Sequence, residues 1–187
     1  MKLYVIRHGE SETNRAGCWT GWLDAPLTEK GREDALFARA VLAGVPFDEI
    51  YASDLARAKD TAEIALPGCS YTTEPLLREI NVGEIAGKPL ATIADGRGGM
   101  KNSGGYGDYG GETEADFVAR VAAIFHRFET EEARAVALFS HSAWLKAALD
   151  FVLKRHLPVE HISCRNCTVA IFEYVSGRWK LHSWINP

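Results

Sequence analysis

Short apolar runs that stop abruptly at polar residues, each followed by helical spacing, constrain this chain more than any other feature. The first run, Leu3 to Ile6, is β-rich and ends at Arg7-His8-Gly9-Glu10. Such a run suits a strand buried on both faces. After a loop, Thr28 is the expected N-cap of a helix reaching about Ala43, closed by Gly44 and Pro46. Ile50 to Ala52 reads as a second short strand, with Ser53-Asp54 as the cap of a helix through Ile64. Strand, helix, strand, helix predicts a parallel α/β sheet, since a helix must carry the chain back before the next parallel strand.

The second half repeats the pattern. Thr113-x-x-Asp116 resembles a capping signature, and Phe117, Val121, Ile124, Phe125 and Phe128 fall on one helical face. Val136 to Phe139 is the matching strand and ends in Ser140-His141; Leu145, Ala148, Leu149, Val152 and Leu153 then recur at helical spacing. Thr168 to Tyr174, a turn at Ser176-Gly177, and Trp179 to Ile185 read as a hairpin. The expected fold is α/β: a three-layer sandwich with a mostly parallel central sheet, helices on both faces and a C-terminal antiparallel hairpin.

With 187 residues, 47% of them apolar and 25% charged, the chain is ordinary for a globular protein. It can bury roughly 70% of its unfolded surface without metal or disulfide staples. A single domain over 1–187 is expected. Four cysteines are too few for a disulfide scaffold, and no secretory h-region or membrane-length apolar run is visible, which points to a cytoplasmic protein without a membrane partner. A net charge of −4 argues against nucleic acid as the main partner. Residues 96–111 hold eight of the 17 glycines, which predicts a mobile surface loop.

Two motifs invite cofactor readings. Gly105-Tyr106-Gly107-Asp108-Tyr109-Gly110 spells GxGxxG but follows no strand, so the context of a dinucleotide fingerprint fails. Cys164-x-x-Cys167, near His156 and His161, would need four ligands facing one point to hold zinc, and Cys167 suits a buried thiol better. No cofactor and no metal are expected.

Titratable residues recur where strands end: Arg7-His8, then Ser53-Asp54 with Arg57, then Ser140-His141. In an open parallel sheet these ends share one edge, where ligands collect. Each residue alone has a plainer reading as a solvated loop side chain, but coincidence at three successive strand ends is harder to dismiss. Two guanidiniums match the oxygens of a phosphoryl group, whose monoester carries about −1.5 to −2 charge at pH 7. Helix N-termini after Ser53 and Ser140 would add N–H donors. An imidazole among such cations stays neutral and can act as a nucleophile.

Arg7-His8-Gly9-Glu10-Ser11 with Asn14 resembles the signature of the histidine phosphatase superfamily, the phosphoglycerate-mutase-like proteins. Further matches follow in order: Leu27-Thr28-Glu29-Lys30-Gly31; Ser53-Asp54-Leu55-Ala56-Arg57-Ala58 with Thr61-Ala62; Leu77-Arg78-Glu79-Ile80 with Gly83 and Gly87; Ser140-His141; and Asn166-Cys167-Thr168. The likeness spans essentially the whole chain. It implies that His8 is the nucleophile that becomes phosphohistidine and that Arg7, Asn14, Arg57 and His141 bind the phosphate. It also implies that Glu79 protonates the leaving alcohol and deprotonates the attacking water. Without the motif, Glu79 reads as a surface partner of Arg78 or Lys88.

The chain departs from the family in having Ser142-Ala143 where Gly-Gly is frequent, and in lacking an aromatic residue after Gly83. Trp19 and Trp22 flank the first loop, with rim packing and stacking on a substrate ring both open. The resemblance implies a metal-independent phosphomonoesterase acting on a small organic phosphate, similar to the compact alpha-ribazole phosphatase type. A phosphoglycerate-type phosphomutase is the sister alternative, and a non-catalytic phospho-ligand sensor the alternative of another class.

Overall fold

The computed structural model describes residues 1–92, 105–154 and 161–187. The strands are β1 (Lys2–Arg7), β2 (Glu49–Ala52), β3 (Thr72–Thr73), β4 (Ala135–Ser140), β5 (Val169–Val175) and β6 (Arg178–Ile185). They form one sheet in the order β3-β2-β4-β1-β5-β6. The pairs β3–β2, β2–β4 and β4–β1 are parallel; β1–β5 and β5–β6 are antiparallel. The helices are α1 (Glu12–Arg15), α2 (Glu29–Leu42), α3 (Ala56–Ala65), α4 (Glu114–Glu129) and α5 (Ser142–Leu153). Among the described residues no helix is long and apolar enough to cross a membrane.

Period-two alternation divides the core into two layers. Leu3, Val5, Val136, Leu138, Ala170 and Phe172 face α4 and α5, packing with Phe117, Val121, Phe125, Trp144 and Leu149. Ile6, Ala137, Phe139, Val169 and Ile171 face α2 and α3, packing with Ala35, Ala38, Leu42, Ala62 and Ala65. The small residues on α2 and α3 allow these helices to sit close to the sheet. The expected three layers are present. At the hairpin turn, Ser176 and Gly177 both have positive φ, 52° and 73°, as a two-residue type I′ connection requires.

Thr28 caps α2 by accepting the Gly31 N–H at 2.9 Å, and Thr113 caps α4 by accepting that of Asp116 at 3.1 Å, both as expected. The expected Ser53-Asp54 cap is corrected. Helix α3 has Leu55 as N-cap with no side-chain bond of its own, and its Ala56 N–H donates to Asp24 Oδ1 at 2.7 Å instead. Ser53 and Asp54 are spent elsewhere, as described below. Of the glycine-rich stretch expected to be mobile, 96–104 lie outside the described residues. Within 105–111, Gly105 bridges to Thr113, Tyr106 is buried, and Gly107–Tyr109 makes a surface 3₁₀ turn. A Cβ on Gly83, itself at φ +59°, would fall 1.9 Å from the Tyr109 carbonyl oxygen, so this backbone approach requires glycine.

Candidate active site

Strands β1 and β4 lie side by side, yet the helices that follow them cover opposite faces of the sheet. Between such strands the chain ends diverge and leave a crevice at their carboxyl edge. Arg7 pairs with Ser140 in register, so His8 and His141 emerge together there, with ring centroids 5.0 Å apart. The first turn of α3 brings Arg57 to the same edge, and the segment before β5 brings Asn166.

The loop after β1 is held by backbone contact. A Cβ on Gly9 would lie 2.1 Å from the Gly31 carbonyl oxygen, and one on Gly31 would lie 2.0 Å from that of Glu10. The glycines of two separate motifs thus interlock. Gly9 N–H donates to Thr61 Oγ1 at 3.0 Å, and the Thr61 hydroxyl donates to the Arg57 carbonyl at 2.7 Å, tying β1 to α3. His8 N–H donates to the Ser140 carbonyl at 3.0 Å, and its own carbonyl accepts from Asn166 Nδ2 at 3.1 Å. Asn14 Oδ1 accepts from Ser11 N and from Asn166 Nδ2, each at 3.3 Å, which braces the loop around His8.

His8 is almost wholly buried and places Nδ1 2.6 Å from the Gly9 carbonyl. A carbonyl can only accept, so Nδ1 carries the proton and Nε2 keeps its lone pair. Arg57 Nε–H donates to that Nε2 at 3.3 Å. Arg57 is fully buried, its other nitrogens fixed by the Leu23 and Gly21 carbonyls, each at 2.9 Å. Burial lowers its pKa to about 10, which leaves it charged at neutral pH. Burial first, then the charges of Arg57 and Arg7, hold the His8 imidazole well below the ordinary histidine range. His141 is depressed in the same way, by burial, then Arg57, His8, Arg120 and Arg7. Both rings are neutral at pH 7.

His141 Nε2 lies 2.9 Å from Ser53 Oγ, while its Nδ1 is buried without a partner among the described residues. Arg7 donates to the Cys164 carbonyl at 2.5 Å, and its Nε is likewise buried without a partner. A buried unmade bond costs about 1–3 kcal/mol, so two at one sheet edge fit a place where an anion binds.

Glu79 is drawn to the N-terminus of α5. Its Oε1 accepts from Ile80 N at 3.1 Å and Ala143 N at 3.2 Å, and its Oε2 from Ala143 N at 3.3 Å. The carboxylate sits where the helix dipole is positive. The departure at Ala143 costs nothing here, because the bond uses a backbone N–H. Arg78 pairs with Asp54 at 2.7 and 2.5 Å rather than with Glu79, which removes the plainer reading of Glu79 as a partner of Arg78. Trp22 donates to the Glu79 carbonyl at 2.7 Å and lies under the Arg78 guanidinium, so it packs at the rim. Trp19 packs against the core beside Tyr106.

Sequence reasoning gave no role to Ser53 toward His141, to Thr61 toward Gly9, or to Asn166 toward His8. The Ser, Thr and Asn of the motifs were the available signal, but their partners are distant in sequence. Among the described residues no group of three or more His, Cys, Asp or Glu could hold a metal ion. His156 lies outside them. Burial pushes the Cys167 thiol up to about 12, so it stays protonated and is a poor ligand.

The chain belongs to the histidine phosphatase superfamily (branch 1), whose profile matches residues 3–187. A curated relative from Salmonella paratyphi A, named "Probable phosphoglycerate mutase GpmB", is 28% identical over 99% of this chain and 90% of its own length. The structure of a mycobacterial glucosyl-3-phosphoglycerate phosphatase complexed with VO3 is 30% identical, covers 98% of each chain and has a TM-score of 0.82. An Escherichia coli K-12 structure, named a "putative alpha-ribazole-5'-P phosphatase", covers 100% of this chain and 96% of that one, with a TM-score of 0.81. At 24% identity that last likeness concerns the fold alone. The Salmonella relative is named a probable mutase and the mycobacterial protein a phosphatase, and the chain is an enzyme of this superfamily.

Proposed function

We propose that the chain is a metal-independent phosphomonoesterase that hydrolyses a small organic phosphate through a phosphohistidine on His8. The observation that carries this is the His8 tautomer. Its one proton is spent on the Gly9 carbonyl, so Nε2 keeps its lone pair, which accepts from Arg57 Nε–H at 3.3 Å and must be released by that donor to attack phosphorus. In the first step Nε2 attacks phosphorus, an N–P bond forms and the ester P–O bond breaks. Glu79, carrying a proton, gives it to the leaving oxygen. In the second step Glu79 takes a proton from water, the new O–P bond forms and the N–P bond breaks.

Arg7, Arg57, His141 and Asn14 bind the phosphoryl oxygens in this reading. The Arg57 guanidinium is buried and fixed, and that of Arg7 is held by the Cys164 carbonyl, so they stabilise equatorial charge with little reorganisation. The unpartnered Arg7 Nε and His141 Nδ1 supply contacts for those oxygens. One domain over 1–187 and a cytoplasmic site of action belong to the same proposal.

The mutase reading shares the first step and differs in the acceptor. It is favoured by the name of the Salmonella relative, as hydrolysis is by that of the mycobacterial phosphatase. A turnover screen over aryl, sugar and glycerate phosphates without added bisphosphoglycerate separates them. Release of inorganic phosphate in proportion to enzyme cycles supports hydrolysis. Phosphoryl retention on organic products refutes it.

A further inference from the structure

Residues 78–81, which carry Glu79, belong to no strand or helix, so no backbone ladder fixes them. Besides the Arg78 N–H bond to the Pro75 carbonyl and the Glu112 N–H bond to the Asn81 carbonyl, the hydrogen bonds that hold the segment and the turn before it go to side chains. The Leu76 carbonyl accepts from Arg120 and Trp144 Nε1, each at 2.9 Å, and the Leu77 carbonyl from Ser140 Oγ at 2.7 Å. The Arg78 carbonyl accepts from Arg120 at 2.7 Å, and the Glu79 carbonyl from Arg120 at 2.8 Å. One guanidinium therefore gathers two carbonyls of the segment and that of Leu76 in the turn before it.

The remaining Arg120 donors form a two-point pair with Glu112 at 2.7 and 2.9 Å, so all five N–H groups are used. Both side chains are nearly buried, at 11% and 15% exposure. Glu112 completes the hold: its Oε2 accepts the Asn81 N–H at 2.7 Å, and its own N–H donates to the Asn81 carbonyl at 2.9 Å. Arg120 is on α4 and Glu112 just precedes its cap, so one helix grips the segment on both sides of Glu79. A lysine, with three donors on a single nitrogen, cannot replace the fork.

We propose that Arg120 and Glu112 are a positioning pair for Glu79, holding its carboxyl in proton-transfer range through the backbone of residues 76–81. The proposal rests on the acid/base reading of Glu79. A general acid must lie about 2.6–3.2 Å from the oxygen it serves, and a misplacement near 1 Å costs on the order of a hundredfold. Need for the acid depends on the leaving group. Alkoxides require a proton, whereas p-nitrophenolate leaves without one.

The test is the ratio of kcat/KM for an alkyl phosphate to that for p-nitrophenyl phosphate. This ratio is independent of how much enzyme is folded, so loss of stability alone does not move it. Arg120→Lys and Glu112→Gln are expected to lower it between about tenfold and a hundredfold. The core variant Leu42→Ala should leave it unchanged. In a Glu79→Gln background, Arg120→Lys should change it by less than about twofold, because the group acted through is gone. Equal loss on both esters in Arg120→Lys and Glu112→Gln overturns the positioning role, as does an undiminished effect in the Glu79→Gln background. A Glu79→Gln variant that loses equally on both esters instead overturns the acid/base reading itself. Should Arg120→Lys not fold, the Glu112→Gln ratio decides.

Discussion

Replacing Gly9 with alanine tests how closely the crevice is built on backbone contact. The added Cβ would sit 2.1 Å from the Gly31 carbonyl oxygen, about 0.9 Å inside the 3.0 Å limit that real Cβ atoms respect. Neither partner is a flexible side chain, so α2 must move away from the loop or the loop must move into the crevice. The first route strains the Thr28–Glu10 bond at the start of α2, and overpacking of this kind costs about 1–3 kcal/mol. The second route displaces His8, whose ring is fixed by the Gly9 carbonyl itself. A shift near 1 Å at a nucleophile lowers turnover on the order of a hundredfold. Urea unfolding and kcat on p-nitrophenyl phosphate read the two routes separately. Wild-type stability together with wild-type turnover in Gly9→Ala would refute the reasoning.

Four further outcomes are expected. His8 and His141 have depressed pKa values in the fold, whereas the unfolded chain protonates both near 6.5. Unfolding therefore takes up protons below that pH. Their contribution to stability is complete above pH 6.5 and falls by up to about 1.4 kcal/mol per residue for each unit of further acidification, as urea titrations at pH 7, 6 and 5 can show. Phe125→Ala should cost about 3–5 kcal/mol in urea unfolding, since its ring meets those of Trp144, Phe151, Phe172 and Trp179 at 5.0 to 6.2 Å. Orthovanadate at a hundred times its Kd should raise Tm by about 5–10 °C, an effect diminished in Arg7→Met and checked by thermal scanning. Glu79→Gln should slow alkyl phosphates by about 10²–10⁴-fold and p-nitrophenyl phosphate far less in steady-state assays.

The elements were legible because local patterns govern them. An apolar run that stops at Arg7 or Ser140, or a threonine three residues ahead of an open N–H, carries its own evidence. The runs of β1 and β4 marked strands buried on both faces, but which residue faces which helix layer emerges only in the fold. Residues whose partners are remote were not legible. Ser53 and Asp54 have the composition of a cap, yet His141 and Arg78 claim them, 88 and 24 positions away. Arg120 reads as a solvated helix residue until three carbonyls in and just before the Glu79 segment are seen converging on it. The close approach of Gly9 and Gly31 was hidden for the same reason, since each glycine alone signals only a turn. Cys167 adopts φ 59°, a conformation nothing in its neighbours announces.

Transfer of phosphorus to the His8 ring is the central claim, and rapid acid-free quenching followed by peptide mass spectrometry measures it directly. During turnover the peptide containing His8 should carry one phosphoryl group that survives alkali and is lost in acid. His8→Ala should carry none and release no phosphate. A phosphoryl group found on another residue, or steady hydrolysis by His8→Ala, would contradict the account.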